Sequence, residues 1–150
     1  FAVTLCMIDS ASPGHGHVLI LEDNPDSRTF FSLYLAQEGF TVTMAADATT
    51  ALRAIAERRP DVLLLDLNLP GFNGFDLARL LHDDPATASI PVVVITALTR
   101  EAENDPRIAD LPNIRRFIYK PCRPQTLVDA VRNVLCLFRL QGRVGPPAAS

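Results

Sequence analysis

Short apolar runs alternate with amphipathic segments over residues 17–140. Runs rich in Val, Ile, Leu and Thr predict strands at 17–22, 41–45, 61–66, 90–96 and 115–121. Helical periodicity predicts helices at 26–39, 47–60, 74–84 and 125–140. Alternating strands and helices are typical of parallel sheets covered on both faces. We therefore predict an α/β fold, a doubly wound five-stranded parallel sheet with helices on both faces.

The connection between the fourth and fifth predicted strands departs from this pattern. Residues 98–114 contain Pro106 and Pro112 where a crossover helix is expected. Proline inside a helix costs about 3 kcal/mol or more, because it removes a hydrogen bond and clashes with the preceding turn. The fourth helix is therefore expected to be short or broken.

The two ends of the chain differ in composition from the periodic part. Residues 1–16 end in a Ser/Pro/Gly-rich pattern and predict a flexible extension or linker, while residues 141–150 predict a disordered tail. This leaves a single domain at 17–140. The chain does not begin with Met, so we expect a fragment or a processed chain. No apolar run reaches the roughly 18 residues that a membrane helix needs, and the opening lacks the basic start of a signal peptide.

Composition narrows the class of protein. Hydrophobic residues make up 48% and charged residues 21%, an ordinary mixture for a soluble globular domain. Three cysteines without a CxxC pair argue against a disulfide framework or a zinc site, and a cytoplasmic location is expected. His15 and His17 could bind a metal, but two histidines in a flexible segment are more often inert.

Charge is distributed unevenly along the chain. The net charge of −3 combines an acidic first part with a basic end, where residues 111–150 hold seven cationic side chains and only Asp129 as an acid. Of the 14 cationic residues, Lys120 is the single lysine. A compact ammonium group at that one position suggests a function that a planar guanidinium does not serve.

Polar residues follow the predicted strands at their carboxyl ends, where ligands bind in such sheets. Three carboxylates in one place repel each other and need cations to remain ionised. Because the ligands are oxygens only, the pattern favours a hard ion such as Mg²⁺. The residues at the strand ends are Glu22 and Asp23 after the first strand, Asp66 after the third, Thr96 after the fourth and Lys120 after the fifth.

Taken in order, these short motifs resemble the receiver domain of two-component response regulators, over residues 17–140. The resemblance rests on the acidic pair Glu22–Asp23, on Asp66 followed by "LNLPG", on Thr96–Ala97 and on Lys120–Pro121. It implies a flavodoxin-like fold of the receiver type. Each motif is weak alone, but together they form a specific signal.

The resemblance also implies roles for individual residues. Asp66 would accept a phosphoryl group from a histidine kinase or phosphotransfer protein. Asp23, Glu22 (partly through water), Asp66 and the backbone carbonyl of Asn68 would hold Mg²⁺. The phosphoryl oxygens would be bound by Thr96 and Lys120, and Thr96 and Phe117 would form the switch. The domain would support its own phosphotransfer and dephosphorylation without being an enzyme in the usual sense.

The sequence departs from the family pattern at several points. The first acid is Glu22 rather than the more common Asp, and Cys122 stands where an aromatic residue often follows the Lys–Pro pair. The fourth helix, interrupted by prolines, departs from the usual output face. The standard mode of output is therefore less well supported than phosphorylation itself.

Three other functions fit these motifs less well. A receiver-like interaction module that works without phosphorylation is the main alternative. A phosphatase with an aspartyl nucleophile usually needs a second Asp two positions on, where Asn68 cannot transfer a proton. No helix-turn-helix follows residue 140, so no direct nucleic-acid binding is expected in this chain.

A homodimer through the face around the fifth strand is a further expectation. Acidic residues in the segment 100–110 would meet basic residues of 115–143 in a second copy, with Leu137 adding apolar area.

Overall fold

The computed structural model describes residues 16–69, 71–97 and 104–144. Its main sheet has five parallel strands: β1 (His17–Leu21), β2 (Thr41–Ala45), β3 (Val62–Asp66), β6 (Val92–Thr96) and β7 (Ile114–Tyr119). They are arranged in the order β2-β1-β3-β6-β7. The chain therefore moves outward in one direction from β1 and in the other from β3, which places a topological switch point between these two strands.

The described residues form four α-helices: α1 (Pro25–Gln37), α2 (Ala48–Glu57), α3 (Gly74–Asp83) and α4 (Pro124–Val144). The first three lie between strands, and α4 follows β7. A two-stranded antiparallel hairpin, β4 (Asn68–Leu69) with β5 (Phe72–Asn73), lies between β3 and α3. Between β6 and β7, the described residues include a 3₁₀ helix at Pro106–Asp110. The doubly wound fold and the interrupted fourth helix are both confirmed.

Alternating strand side chains build one apolar layer on each face of the sheet. On one face, Leu19, Leu63 and Val94 pack with residues of α2 and α3. On the other, Ile20 and Leu64 pack with residues of α1 and α4. The strands β1, β3 and β6 are buried throughout their length, as central strands of a two-faced parallel sheet must be.

The predicted helix boundaries differ from the observed ones by a few residues. Asp47 caps α2, as predicted, by accepting a hydrogen bond from the N–H of Thr50 at 2.7 Å. The last helix continues to Val144, four residues beyond its predicted end at 140. The predicted extension at 1–16 lies outside the described residues except for Gly16. Of the predicted disordered tail at 141–150, residues 141–144 instead belong to α4, and the others lie outside the described residues.

His17 belongs to the folded domain rather than to the preceding segment. It begins β1, is buried, and places its Nε2 2.6 Å from the hydroxyl of Thr43 on β2. His15, its proposed companion as a metal ligand, lies outside the described residues.

Candidate functional site

Acidic side chains from β1 and β3 meet at the switch point. Glu22 and Asp23 directly follow β1, and Asp66 is the last residue of β3. One carboxylate oxygen from each of the three lies within 4.8 Å of the others. Parallel pairing of β1 with β3 brings this about, since Leu21 lies opposite Leu65 and both strands therefore end at the same level.

The lone lysine reaches the same point from β7. Its ammonium Nζ donates to Asp66 Oδ2 at 3.2 Å and also to Glu22 Oε1. The Lys120 backbone N–H donates to the carbonyl oxygen of Thr96 at 2.8 Å, which ties the ends of β6 and β7 together. Lys120 precedes Pro121 through a cis peptide bond. Glu22, Asp23, Asp66 and Lys120 thus lie at one edge of the sheet, and the backbone carbonyl of Thr96 joins this edge through Lys120.

Glu22 is the most deeply placed of the three acids. Its side chain is fully buried, and its Oε2 has no hydrogen-bond donor among the described residues. Burial, together with the adjacent carboxyl group of Asp66, raises the pKa of Glu22 to about 7, even though Lys120 acts in the opposite direction. A buried carboxylate oxygen without a donor is suited to a cation or to a water molecule bound to one.

The charge on Lys120 is stabilised by its surroundings. Burial acts to lower the pKa of this ammonium group, but the carboxylates of Glu22 and Asp66 outweigh it and raise the pKa above its usual value. Lys120 therefore stays cationic at any physiological pH. It offsets part of the repulsion among the acids.

The segment after Asp66 shapes the floor of the site. Asp66 Oδ1 accepts a hydrogen bond from the backbone N–H of Asn68 at 3.0 Å, which fixes the carboxylate relative to the hairpin. The Asn68 side chain is exposed, consistent with a contribution from its backbone alone. Gly74, the first residue of α3, lies so close that a Cβ atom there would be 2.8 Å from the carbonyl oxygen of Asp66.

Thr96 and Phe117 lie near the site but in different surroundings. Thr96 ends β6 and is fully buried. Phe117 is opposite Val94 in the sheet register and is half-buried against the apolar layer formed with α2 and α3. This aromatic side chain therefore lies on the same face of the sheet as Ile108 of the 3₁₀ helix.

Three features of the site were not predicted. The hairpin β4–β5 was missed because strands of two residues leave no periodic signal. The close approach of Gly74 depends on tertiary packing. The third is Arg28 of α1, whose Nη1 donates to the backbone carbonyls of Glu22 at 2.8 Å and Asp23 at 3.4 Å.

The arrangement has a clear chemical capacity. It combines carboxylates that can hold a divalent cation, a carboxylate that can act as a nucleophile, and an ammonium group that can bind an oxyanion. Among the described residues, no helix is long and apolar enough to cross a bilayer.

Comparison with known proteins agrees with this geometry. Residues 18–132 match the family model described as the response regulator receiver domain. The chain belongs to this family and thus to two-component signal transduction. The match covers the five strands of the sheet, apart from His17 at the start of β1, and every residue of the candidate site.

Two relatives and one solved structure illustrate the likeness. The DNA-binding response regulator MtrA of Mycolicibacterium smegmatis is 36% identical over 115 residues, which are 77% of this chain and 48% of that protein. Protein PilH of Pseudomonas aeruginosa is 30% identical, over 79% of this chain and 96% of its own length. The crystal structure of a sensor protein from Polaromonas superposes with a TM-score of 0.77 at 30% identity, covering 81% of this chain and 97% of that one. The chain thus spans about half the length of MtrA.

Proposed function

We propose that this domain accepts a phosphoryl group on Asp66 from the phosphohistidine of a histidine kinase or phosphotransfer protein. The observation that carries the proposal is the position of Asp66. It ends β3 at the switch point, lies 3.2 Å from the ammonium group of Lys120, and shares the site with the carboxylates of Glu22 and Asp23. A nucleophile, a cation site and an oxyanion-binding group thus surround one small space.

Mg²⁺ is the proposed cofactor. Asp23 and Asp66 would bind it directly, Glu22 through a water molecule, and Asn68 through its backbone carbonyl. The oxygen-only donor set and the buried Oε2 of Glu22, which lacks a donor among the described residues, fit a hard cation. When bound, Mg²⁺ would neutralise charge on the oxygens of the transferring phosphoryl group.

The chain's own residues would carry the rest of the reaction. A carboxylate oxygen of Asp66 attacks phosphorus as the phosphorus–nitrogen bond breaks, and the electron pair of that bond leaves with the imidazole. Lys120 and the hydroxyl of Thr96 bind the phosphoryl oxygens, so Lys120 must turn from the Asp66 carboxylate toward the new group. Attack of water on phosphorus would later release phosphate and restore Asp66, which is the proposed dephosphorylation.

The proposed output is a change at the face around β7. Binding of the phosphoryl oxygens by Thr96 would move the end of β6, and Phe117 on the neighbouring strand would follow. That Phe117 is only half-buried leaves room for such a repacking. Signalling would then continue through an interaction of this face with another protein or domain.

Phosphorylation of Asp66 can be tested by intact mass. Wild-type protein treated with Mg²⁺ and acetyl phosphate should gain one phosphoryl group, and Asp66→Ala should gain none, because it lacks the nucleophile. Asp129→Ala is the matched control, since Asp129 is an exposed acid on α4, and it should be labelled like the wild type.

Two results would count against the proposal. Equal labelling of Asp66→Ala and wild type would remove Asp66 as the acceptor. No labelling of the wild type by acetyl phosphate or by any phosphotransfer protein of the host would favour the interaction module that works without phosphorylation.

A further inference from the structure

The loop between β1 and α1 carries two of the three clustered acids, and α1 holds it in place. The Glu22 backbone N–H donates to the carbonyl of Ala45 on β2 at 3.1 Å. Asn24 caps α1, with its Oδ1 accepting from the N–H groups of Asp26 at 2.9 Å and Ser27 at 3.0 Å. These contacts fix the two ends of the loop but leave the carbonyls of Glu22 and Asp23 to be held by another group.

Arg28 supplies that group. Its half-buried guanidinium donates from one nitrogen, Nη1, to the carbonyl oxygens of Glu22 at 2.8 Å and Asp23 at 3.4 Å. A carbonyl oxygen fixed in direction fixes its peptide plane, and the peptide planes on either side of a residue set the direction of its side chain. Arg28 therefore influences the orientation of the Glu22 and Asp23 side chains.

The guanidinium also places a positive charge close to the acids. This charge opposes Mg²⁺ binding, whereas orientation of the carboxylates favours it. A nearby cation stabilises carboxylates in the absence of metal but repels an incoming Mg²⁺. If charge alone mattered, removing Arg28 would strengthen Mg²⁺ binding. If orientation matters more, removing Arg28 would weaken Mg²⁺ binding. The sign of the change thus separates the two effects.

We propose that Arg28 is a positioning residue for Mg²⁺ binding and phosphotransfer, acting by holding the backbone of Glu22 and Asp23 so that their carboxylates face Asp66. This inference rests on the proposed function, because it concerns the same metal site. It adds a residue of α1 that touches neither the metal nor the phosphoryl group. A guanidinium suits this position because it can donate charge-assisted hydrogen bonds to two carbonyl oxygens at once.

The test compares Arg28→Gln and Arg28→Lys with wild type and with Arg53→Gln. Arg53 is an exposed arginine of α2 and controls for the loss of a positive charge elsewhere. Calorimetric titration should show that both Arg28 variants bind Mg²⁺ about ten-fold more weakly, equivalent to about 1.4 kcal/mol, whereas Arg53→Gln binds like the wild type. Arg28→Lys keeps the charge, so its weakening would come from lost geometry.

Phosphorylation kinetics supply a second readout. The Mg²⁺ concentration for half-maximal labelling by acetyl phosphate should rise by the same factor, while the rate at saturating Mg²⁺ stays near that of the wild type. A merely structural role would instead lower the thermal stability of the metal-free protein. It would not raise the Mg²⁺ requirement while leaving the rate at saturating Mg²⁺ unchanged. Should Arg28→Gln fail to fold, Arg28→Lys retains the charge and the aliphatic stem and decides the question.

The outcomes are distinguishable. Tighter Mg²⁺ binding by Arg28→Gln, or unchanged binding by both Arg28 variants, would overturn the positioning role while leaving the proposed function intact. A wild-type protein that binds no Mg²⁺ and accepts no phosphoryl group would overturn the proposed function itself.

Discussion

Residues packed closely around Asp66 leave little space for added atoms. Asp66 is surrounded on its backbone side by Leu67 and Gly74, and on its carboxylate side by Lys120 and the N–H of Asn68. Substitutions that leave the charged groups untouched can therefore still displace the nucleophile. Gly74 is the clearest case, because it has no charge and no side chain.

We expect Gly74→Ala to be destabilising and to impair phosphorylation together. The added Cβ would lie 2.7 Å from Leu67 Cα and 2.8 Å from the Asp66 carbonyl oxygen, so backbone atoms must shift. Overpacking of this kind typically costs about 1–3 kcal/mol. Urea unfolding would measure the loss of stability, and the acetyl phosphate assay the loss of labelling rate.

Gly71→Ala is the comparison variant for this prediction. A Cβ there meets no atom within 4 Å, but the residue has a φ of +69°, so only the cost of a left-handed backbone of about 1 kcal/mol applies. Gly74→Ala should therefore be the worse of the two for phosphorylation. Full labelling of Gly74→Ala at the wild-type rate would show that the Asp66 backbone tolerates the displacement.

At the scale of elements, the carboxyl ends of the strands carry the acidic site, and hydrogen bonds at their N-terminal ends contribute to stability. The N-terminal end of β1 is tied to its surroundings by His17, whose N–H donates to Asp61 Oδ2 at 2.7 Å and whose ring reaches Thr43. Burial, reinforced by the charge of Arg58, lowers the pKa of His17 below 6.5, while Asp61 partly opposes this.

This lowered pKa predicts a loss of stability in acid. The folded state favours neutral His17, whereas the unfolded chain takes up the proton as the pH falls below about 6.5. The stability from this group is present above that pH and is lost as the pH falls through the pKa of the folded state. The slope cannot exceed about 1.4 kcal/mol per pH unit for one proton.

His17→Gln is the variant that tests this, because an uncharged amide can still reach Thr43. Urea unfolding of both proteins at several values between about pH 5 and 7.5 should show the wild type losing stability relative to the variant as the pH falls. The comparison between variants is needed because Glu22, with its pKa raised to about 7, changes stability in the opposite direction over this range. Parallel curves for the two proteins would mean that His17 is not the responsible group.

At the scale of the whole molecule, charged side chains on the face around β7 form more ion pairs within the chain than the sequence suggested. Asp105 forms a salt bridge with Arg107 at 2.6 Å, and Asp110 lies 3.8 Å from Arg79. Arg132, assigned to the basic side of a dimer, instead pairs with Glu38 at 3.3 Å next to α1. This pairing makes Arg132 less available to a second copy, because the helical face that carries it packs toward α1. Glu101 and Glu103 lie outside the described residues.

A weak dimer that forms on phosphorylation stays a prediction, which the remaining basic groups of this face allow to be tested. Arg115 and Arg116 are exposed on β7, and they line a cavity of about 180 Å³ together with Leu137 of α4. We expect light scattering to show dimers of the phosphorylated protein at low salt, and fewer at moderate salt, since exposed charges are screened. Replacing both arginines by Gln should abolish the dimer without affecting labelling of Asp66.

A control variant outside this face is Arg53→Gln, which should dimerise like the wild type. A protein that stays monomeric at high concentration, with and without phosphorylation and at both salt levels, would exclude this dimer. The face around β7 would then be better described as a surface for a different protein.

The sequence by itself determined the five strands of the main sheet, the four α-helices and the residues at the carboxyl ends of those strands. It could do so because a fully buried parallel strand must be apolar along its length, so that the first polar residues after it stand out. Glu22 and Asp66 were found in this way, whereas Lys120 stood out as the single lysine, directly after the fifth strand. The parallel order of strands implied that the three would meet. The prolines between β6 and β7 likewise act locally, through a missing N–H and a fixed φ.

Only the tertiary structure decided how those residues are held. The contact of Arg28 with two carbonyls, the approach of Gly74 to Asp66, and the pairing of Arg132 with Glu38 all join groups whose meeting depends on the angles at which helices pack on the sheet. Even the contact of Arg28 with Glu22, only six residues apart, requires the helix to turn back over the loop that precedes it. Periodicity along the chain reports which side of an element is buried, but it carries no information on these distances.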